Sequence, residues 1–418
     1  MTRYENMSQQ STSRISTSLE GEKVISSSGI SVSVFRTVEE IPQENWAFAA
    51  LQPNHFLQKE YLSVVEKNPP LRMKFCYFFF YKDKAPIGIA IGQIQYFKAD
   101  KSINNDEKKN GPCFFTTFFR FLKGLVSSKV EFNILVNGSL LLTGENGSYF
   151  DSKAIKDENE MSLIDKALDF GLDAFEKSGE KLSGTLIKDF PEENLTHARQ
   201  LIKLGHNEFT VQPSMLMDIR PDWKTFDDYL SALHSKYRVR VRRALKKAKA
   251  IEKREFDVDM IQQNLAQIHQ LYLNIAANSG FNMVNLNDTY LLGLKKQFPE
   301  RFRLIGYYLE DELIGYFTTF LNGDELEAHF LGFEPKHNHN LQIYLNMLYD
   351  MVKIGIDSGA KLIVFARTAM AIKSSVGAVA HEMYCYMRHR NSFPNKFIKP
   401  ILKYLRPEAD WEPRHPFK

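Results

Sequence analysis

The stretch FRLIGYYLEDELIGYFTTFLNGDELEAHFLGFEPKHNHNLQIYLNMLYDMVKIGIDSGAKLIVF, residues 302–365, decides the fold. Phe302 to Leu309 reads as a strand, Leu313 to Leu321 as its hairpin partner and Leu326 to Phe333 as a third strand. KHNHN (336–340) reads as a polar loop. Ile343 to Ile356 reads as a helix with an apolar stripe at Tyr344, Met347, Leu348, Met351 and Val352. Ser358-Gly359 ends it, because Gly suits the left-handed position after a helix. Lys361 to Phe365 follows as a strand, and Thr368 is expected to open a further helix.

Working outward, the first half runs in the same order. Ile30 to Phe35 alternates as a strand, and a short helix is expected near Phe56 to Lys67. Lys74 to Tyr81 and Ile87 to Phe97 read as a hairpin, Val130 to Leu142 as the next strand and Met161 to Phe175 as a helix stopping at Ser178-Gly179. Leu182 to Ile187 is then a strand, with a helix expected near Glu192 to Leu204. Two SG-x-K-L junctions, at 178–182 and 358–362, lie 180 residues apart. From Gly88 to Gly179 is 91 residues and from Gly315 to Gly359 is 44, so the first copy carries 47 more. Most of the excess falls in 98–130, which contains the Phe-rich CFFTTFFRFLKGLV (113–126). The expected organisation is a disordered Ser-rich tail (1–30), a first unit (31–220), a second unit (221–390) and a basic amphipathic tail (391–418).

Composition narrows the class. The chain has 418 residues with 44% hydrophobic and 25% charged residues, which excludes collagen-like, coiled-coil and mostly disordered chains. No apolar run approaches the roughly 18 residues of a membrane span. Three distant cysteines (Cys76, Cys113, Cys385) with no CxxC fit a reducing compartment without a zinc site, and a cytoplasmic protein is expected. The net charge of +4 hides an asymmetry: residues 234–254 hold ten Lys/Arg against one Glu, leaving a net −5 elsewhere. This is a mildly acidic body with one basic strip.

A third strand followed by a polar turn and a helix, in an order β-β-β-α-β-α-β, resembles the GNAT acyltransferase fold. Two copies in one chain resemble the Fem-like N-acyltransferases. SKYRVRVRRALKKA (235–248), LGFEPKHNHNLQIYLNMLYDM (331–351), FARTAMAIKSSVGA (365–378) and NGSLLLTGENG (137–147) carry the likeness. It implies an α/β (α+β) chain of two tandem GNAT-like units, mixed sheets flanked by helices. It implies transfer of an acyl group from acyl-CoA or a similar thioester, as co-substrate rather than bound cofactor, to a primary amine, such as that of a lipid or cell-envelope precursor. Two alternatives stay open. One is an aminoacyl-tRNA-dependent peptidoglycan-bridge transferase; the other is a non-catalytic protein that binds an anionic membrane or RNA. The 336–340 loop has no Gly, unlike the usual CoA loop, and 221–300 has room only for short helices rather than a tRNA-binding coiled-coil arm.

Acyl transfer to an amine needs a base, an oxyanion donor and a holder for donor phosphates. Glu325, Glu327 and His329 share one strand face by alternation, and Glu327 or His329 is the expected base. The other reading is an exposed polar strand face. Leu326, Phe330 and Phe333 do not keep one phase. Arg367, at a strand's carboxyl end, and Lys373 are expected to hold donor phosphate, together with His337, Asn338, His339 and Asn340; surface ion-pairing and a solvated turn are the alternatives. The basic helix, with an apolar stripe at Tyr237, Val241, Leu245, Ala248 and Ile251, is expected to hold an anionic group through Lys236, Tyr237, Arg238 and Arg242. Asn137 and Glu145 are candidates in the first copy, unless they only shape a turn. No metal is expected. Phe-rich 113–126 and NKFIKPILKYLRP (395–407) suggest an anionic membrane surface as a further partner, at the inner membrane face.

Overall fold

The computed structural model describes residues 20–97, 132–156, 158–276, 284–404 and 411–418. The Phe-rich segment of the first copy and Leu405 of the C-terminal segment lie outside them.

Among the described residues fourteen strands build one sheet: β1 (Glu20–Val24), β2 (Ser31–Phe35), β3 (Met73–Lys82), β4 (Ala85–Phe97), β5 (Phe132–Asn137), β6 (Ser148–Phe150), β7 (Gly184–Pro191), β8 (Asn207–Asp218), β9 (Glu252–Glu255), β10 (Phe302–Leu309), β11 (Glu312–Asn322), β12 (Glu325–Phe333), β13 (Leu362–Val364) and β14 (Val379–His389). Their order is β1-β2-β3-β4-β5-β7-β14-β8-β13-β12-β11-β10-β9, with β6 paired to β4. The order is nearly palindromic, as two copies of one unit joined head to head require. Each copy opens with a hairpin whose two loop residues are left-handed: Asp83 and Lys84 (φ 51 and 67) in one, Glu310 and Asp311 (φ 50 and 65) in the other. That geometry matches the strand twist of a two-residue hairpin. Each copy then has a parallel pair, β5 with β7 and β12 with β13, bridged by a helix. The bridging helices are α2 (Glu160–Lys177) and α7 (Ile343–Asp357); α1 is Lys59–Lys67. Both bridging helices end on the Ser-Gly signal. Gly179 and Gly359 have positive φ, and the next residue's N–H returns to Phe175 O or Gly355 O.

The two copies exchange their last strands. β8 follows the first copy but pairs with β13 of the second, while β14 follows the second and pairs with β7 of the first; β8 and β14 pair with each other. The expected boundary at 220/221 therefore divides the chain but not the sheet. One core is shared as well: Phe56 and Tyr61 of the first copy pack on Phe320 of the second, with ring centroids 5.1 and 6.2 Å apart. Such aromatic pairs add roughly 0.5–1.5 kcal/mol each beyond their area.

Several expectations are corrected. The tail 1–30 is not wholly outside the fold, because β1 pairs with β2 and Ile30 is buried. The strand expected over Val130 to Leu142 stops at Asn137. The basic strip is not one helix: α3 (Ser235–Lys247) ends before β9, where Lys253 pairs with Asp350 and Arg254 with Glu252. The next helices are α4 (Leu265–Ala276) and α5 (Tyr290–Gln297). The KHNHN loop is helical, as α6 (Pro335–Leu341). Thr368 caps nothing; it is left-handed, and α8 (Met370–Val376) starts two residues later. In α9 (Ser392–Tyr404), Ile398, Ile401 and Leu402 are core, leaving Phe393 and Phe397 exposed.

Candidate active site

β12 is the strand that carries Glu325, Glu327 and His329. Its parallel pairing to β13 runs from Glu325 to Glu327 and ends there, opposite Val364. β12 continues to Phe333, so the two strands part just beyond Glu327. On its other edge a bulge interrupts the pairing to β11 between Thr319–Ala328 and Phe317–Leu331. The buried Thr318 hydroxyl pins that bulge: it accepts from Phe330 N–H at 2.9 Å and donates to Phe330 O at 2.8 Å. An extra residue reverses which side the following side chains face. Leu326 therefore lies in the core under α7, whereas Phe330 packs into the core shared by the two copies. This is why the apolar residues of the strand do not keep one phase. Gly332 allows α4 to lie against the strand, since a Cβ there would sit 2.5 Å from Tyr272 N.

Glu327 is buried, 5% exposed, and among the described residues no cation or hydrogen-bond donor meets its carboxylate. Burial, and then the charge of Glu325, push its pKa well above the usual carboxylate range. His329 is half-buried, its Nε2 2.8 Å from the Tyr290 hydroxyl; desolvation draws its pKa down to about 3. Tyr290 in turn lies 3.1 Å from the Tyr61 hydroxyl. The face that alternation gathered is thus real, but it looks into the seam between the copies rather than into solvent.

Arg367 and Lys373 are close together, yet both are engaged by the protein. The Arg367 guanidinium pairs with buried Asp189 and donates through Nε to Gln212 O at 3.0 Å. Asp189 also pairs with Lys188. Lys373 is buried, and its ammonium donates to the carbonyls of Ala366 and Arg367. It braces a strained turn in which Ala366, Thr368 and Ala369 all have positive φ. The sequence expectation of two open phosphate-holding cations is corrected accordingly. Burial draws Lys373 down to about 7. Its folded pKa lies below the unfolded value near 10.4, so the unfolded chain binds more protons between those limits and stability rises with pH there. Between pH 7 and 9.5 the denaturation midpoint of the protein should rise, and Lys373→Met should flatten that slope; an unchanged slope would remove Lys373 as its source.

The other expected residues are scattered. Asn338 accepts from Tyr344 N–H at 3.0 Å and so caps α7 itself, while His339 bonds its neighbour Asn340. His337 sits on the same short exposed helix, whose N-cap is the acidic Glu334. This corrects the phosphate-loop expectation. Asn137 is buried and closes a turn by donating to Ile91 O and Gly147 O at 3.0 and 2.9 Å. Glu145 is open on one side and accepts from Asn194 Nδ2; desolvation of its crowded side raises its pKa to about 7. On α3 the buried stripe is Tyr237, Val241 and Ala244. Lys236 lies over the Tyr237 ring at 5.0 Å, Arg238 reaches Leu230 O at 3.5 Å and Arg242 is exposed. No acidic side chain pairs with the α3 cations among the described residues. The helix touches the first turn of α7, where Asn346 Nδ2 donates to Ala244 O at 3.1 Å.

Register makes the copies comparable. Asn137 is the last parallel-paired residue of β5 and Glu327 the last of β12. Where the second copy holds an unpaired acid, the first holds a satisfied amide. Two residues past the facing positions Ile187 and Val364 lie Asp189 and Ala366, both left-handed (φ 69 and 54). The sequence reading missed Asp189 and Lys188, although two charges inside the apolar β7 marked a buried pair. It also missed Tyr61 and Tyr290, for which helical tyrosines carry no distinguishing signal. Among the described residues no cluster of His, Cys, Asp and Glu is placed to hold a metal, and no helix is long and apolar enough to cross a membrane.

Residues 235–374 match the family model of the acetyltransferase (GNAT) domain. No curated protein matches the chain. Among solved structures the chain is similar to FemX, with 14% identity and a TM-score of 0.50 over 85% of this chain and 98% of that one. It also resembles a tandem GNAT protein from the clavulanic acid biosynthesis pathway (7% identity, TM-score 0.48, 86% and 99% covered). A third is L-PGS from Bacillus licheniformis (12%, 0.44, 83% and 96%). The family match thus places an acetyltransferase (GNAT) domain over 235–374, inside a fold similar to that of FemX along nearly its whole length.

Proposed function

We propose that the second unit transfers an acyl group from a coenzyme A thioester to a primary amine, with Glu327 as the general base. The observation that carries this is the unpaired, buried Glu327 at the point where β12 leaves β13. A carboxylate whose pKa is raised is a stronger base than an ordinary one, whereas an imidazole drawn to about 3 holds a proton poorly. Glu327 takes a proton from the ammonium group, and the freed amine attacks the thioester carbonyl carbon. The tetrahedral oxyanion collapses, the C–S bond breaks, and the departing thiolate takes the second proton that the attacking nitrogen gives up. Amide and thiol are the products.

With Arg367 and Lys373 committed to the fold, the cations available for the donor's phosphates are those of α3, beside the first turn of α7. The seven α3 cations, which meet no acidic side chain among the described residues, also suit a longer polyanion, which supports aminoacyl-tRNA as the second reading. Thermal-shift titration with coenzyme A thioesters of graded chain length, free coenzyme A and aminoacyl-tRNA distinguishes them. A stabilisation by one or more thioesters that exceeds free coenzyme A is expected. Stabilisation by aminoacyl-tRNA alone would replace the donor, and no response to any of them would overturn both readings.

A further inference from the structure

A chain of buried hydroxyls runs from the first copy to His329. Tyr61, on α1, lies 3.1 Å from Tyr290, and Tyr290, on α5, lies 2.8 Å from His329 Nε2. Tyr61 and Tyr290 are at most 1% exposed. A core ring needs no hydroxyl, and a buried one left unpaired costs about 1–3 kcal/mol. Two buried hydroxyls in series, ending on an imidazole, therefore call for an account beyond packing.

The chain has one direction that satisfies every member. Among the described residues the Tyr61 hydroxyl has Tyr290 as its hydrogen-bond partner. Tyr61 then donates to Tyr290, and Tyr290 to His329 Nε2. The opposite direction would have His329 Nε2–H donating to Tyr290 and Tyr290 to Tyr61, and would leave the Tyr61 O–H without an acceptor among the described residues. In a neutral imidazole, an accepting Nε2 places the proton on Nδ1.

We infer that Tyr61 and Tyr290 are positioning residues through which the first copy holds His329 of the second in its Nδ1–H form. This rests on the reading of Glu327 and His329 as the reacting face. It divides their labour: Glu327 takes a proton, and His329 offers a hydrogen bond to the substrate carbonyl or its oxyanion. It also gives the first copy, whose own equivalent position is closed by Asn137, a part in the reaction of the second.

The test is nitrogen NMR of the full chain labelled with 15N-histidine, using His329→Gln to assign the signal. His329 in the unaltered protein should show an unprotonated Nε2 and a protonated Nδ1, and a protonated Nε2 there would overturn the inference without any variant. Tyr290→Phe and Tyr61→Phe, checked for an unchanged fold by thermal unfolding, should shift the tautomer toward Nε2–H. With a thioester and amine that turn over, they should lower kcat about tenfold, the equivalent of one good hydrogen bond, with KM within about twofold. Unchanged tautomer and kcat in both variants would overturn the inference. Glu327→Gln run alongside separates the two levels: full activity there sinks the acyl-transfer reading, whereas its loss beside unaffected tyrosine variants sinks only the hydroxyl chain.

Discussion

Asp189→Ala is expected to lower stability by about 3–5 kcal/mol, read from the urea midpoint, because it strands two buried cations. Asp189 is fully buried, pairs with Lys188 of its own strand and with Arg367 of the other copy, and lies 3.8 Å from Cys385 Sγ. Burial alone would raise its pKa, but Arg367 and then Lys188 outweigh burial and hold it below the usual range. Lys188 is also drawn down, since burial and repulsion from Arg367 exceed what one shared carboxylate returns. The backbone adds to the loss: at φ 69 an alanine is disfavoured by about 1–2 kcal/mol, whereas aspartate and asparagine tolerate that region. Asp189→Asn should therefore recover that backbone part and no more. With the folded pKa depressed, the Asp189 contribution is fully present above the unfolded value near pH 3.9 and lost as pH falls through the folded one. Asp189→Asn should lack this acid-side loss. An asparagine variant as stable as the parent protein would show that the cluster contributes nothing.

Glu327→Gln should reduce kcat by about 10²–10⁴-fold with KM little changed, the range for removing a general base. The pH profile carries a second signature. Because burial and Glu325 raise the Glu327 pKa, the basic form is populated only as pH rises above the usual carboxylate range, and kcat should climb there. Glu325→Gln removes the neighbouring charge and should move that climb to lower pH while leaving the plateau intact. A Glu327→Gln enzyme with the parent rate would assign the base elsewhere, and an unmoved limb in Glu325→Gln would detach it from Glu327.

Local chemistry was enough to place much of the architecture. Hydrophobic alternation located β3, β4, β10, β11 and β12 to within a few residues, and the apolar stripe with its Ser-Gly stop located α7. These signals are short-ranged: side-chain period and glycine conformation act within one element. The Glu327–His329 face was legible for the same reason, since two residues apart on a strand share a side whatever packs above them.

Partners far apart in the chain were decided by the tertiary structure alone. Arg367 has the look of a ligand-binding cation until Asp189, 178 residues away, is seen to claim it. The exchange of β8 and β14 leaves no local trace, because a strand's pattern records which face is buried and not which neighbour it pairs with. The bulge at 329–330 depends on the Thr318 hydroxyl of the adjacent strand. Tyr61 meets Tyr290 across 229 residues. The sequence by itself determined most of the elements and the face that Glu327 and His329 share; tertiary structure decided which charges and hydroxyls are left unengaged, because burial and pairing are properties of the assembled neighbourhood rather than of any residue in it.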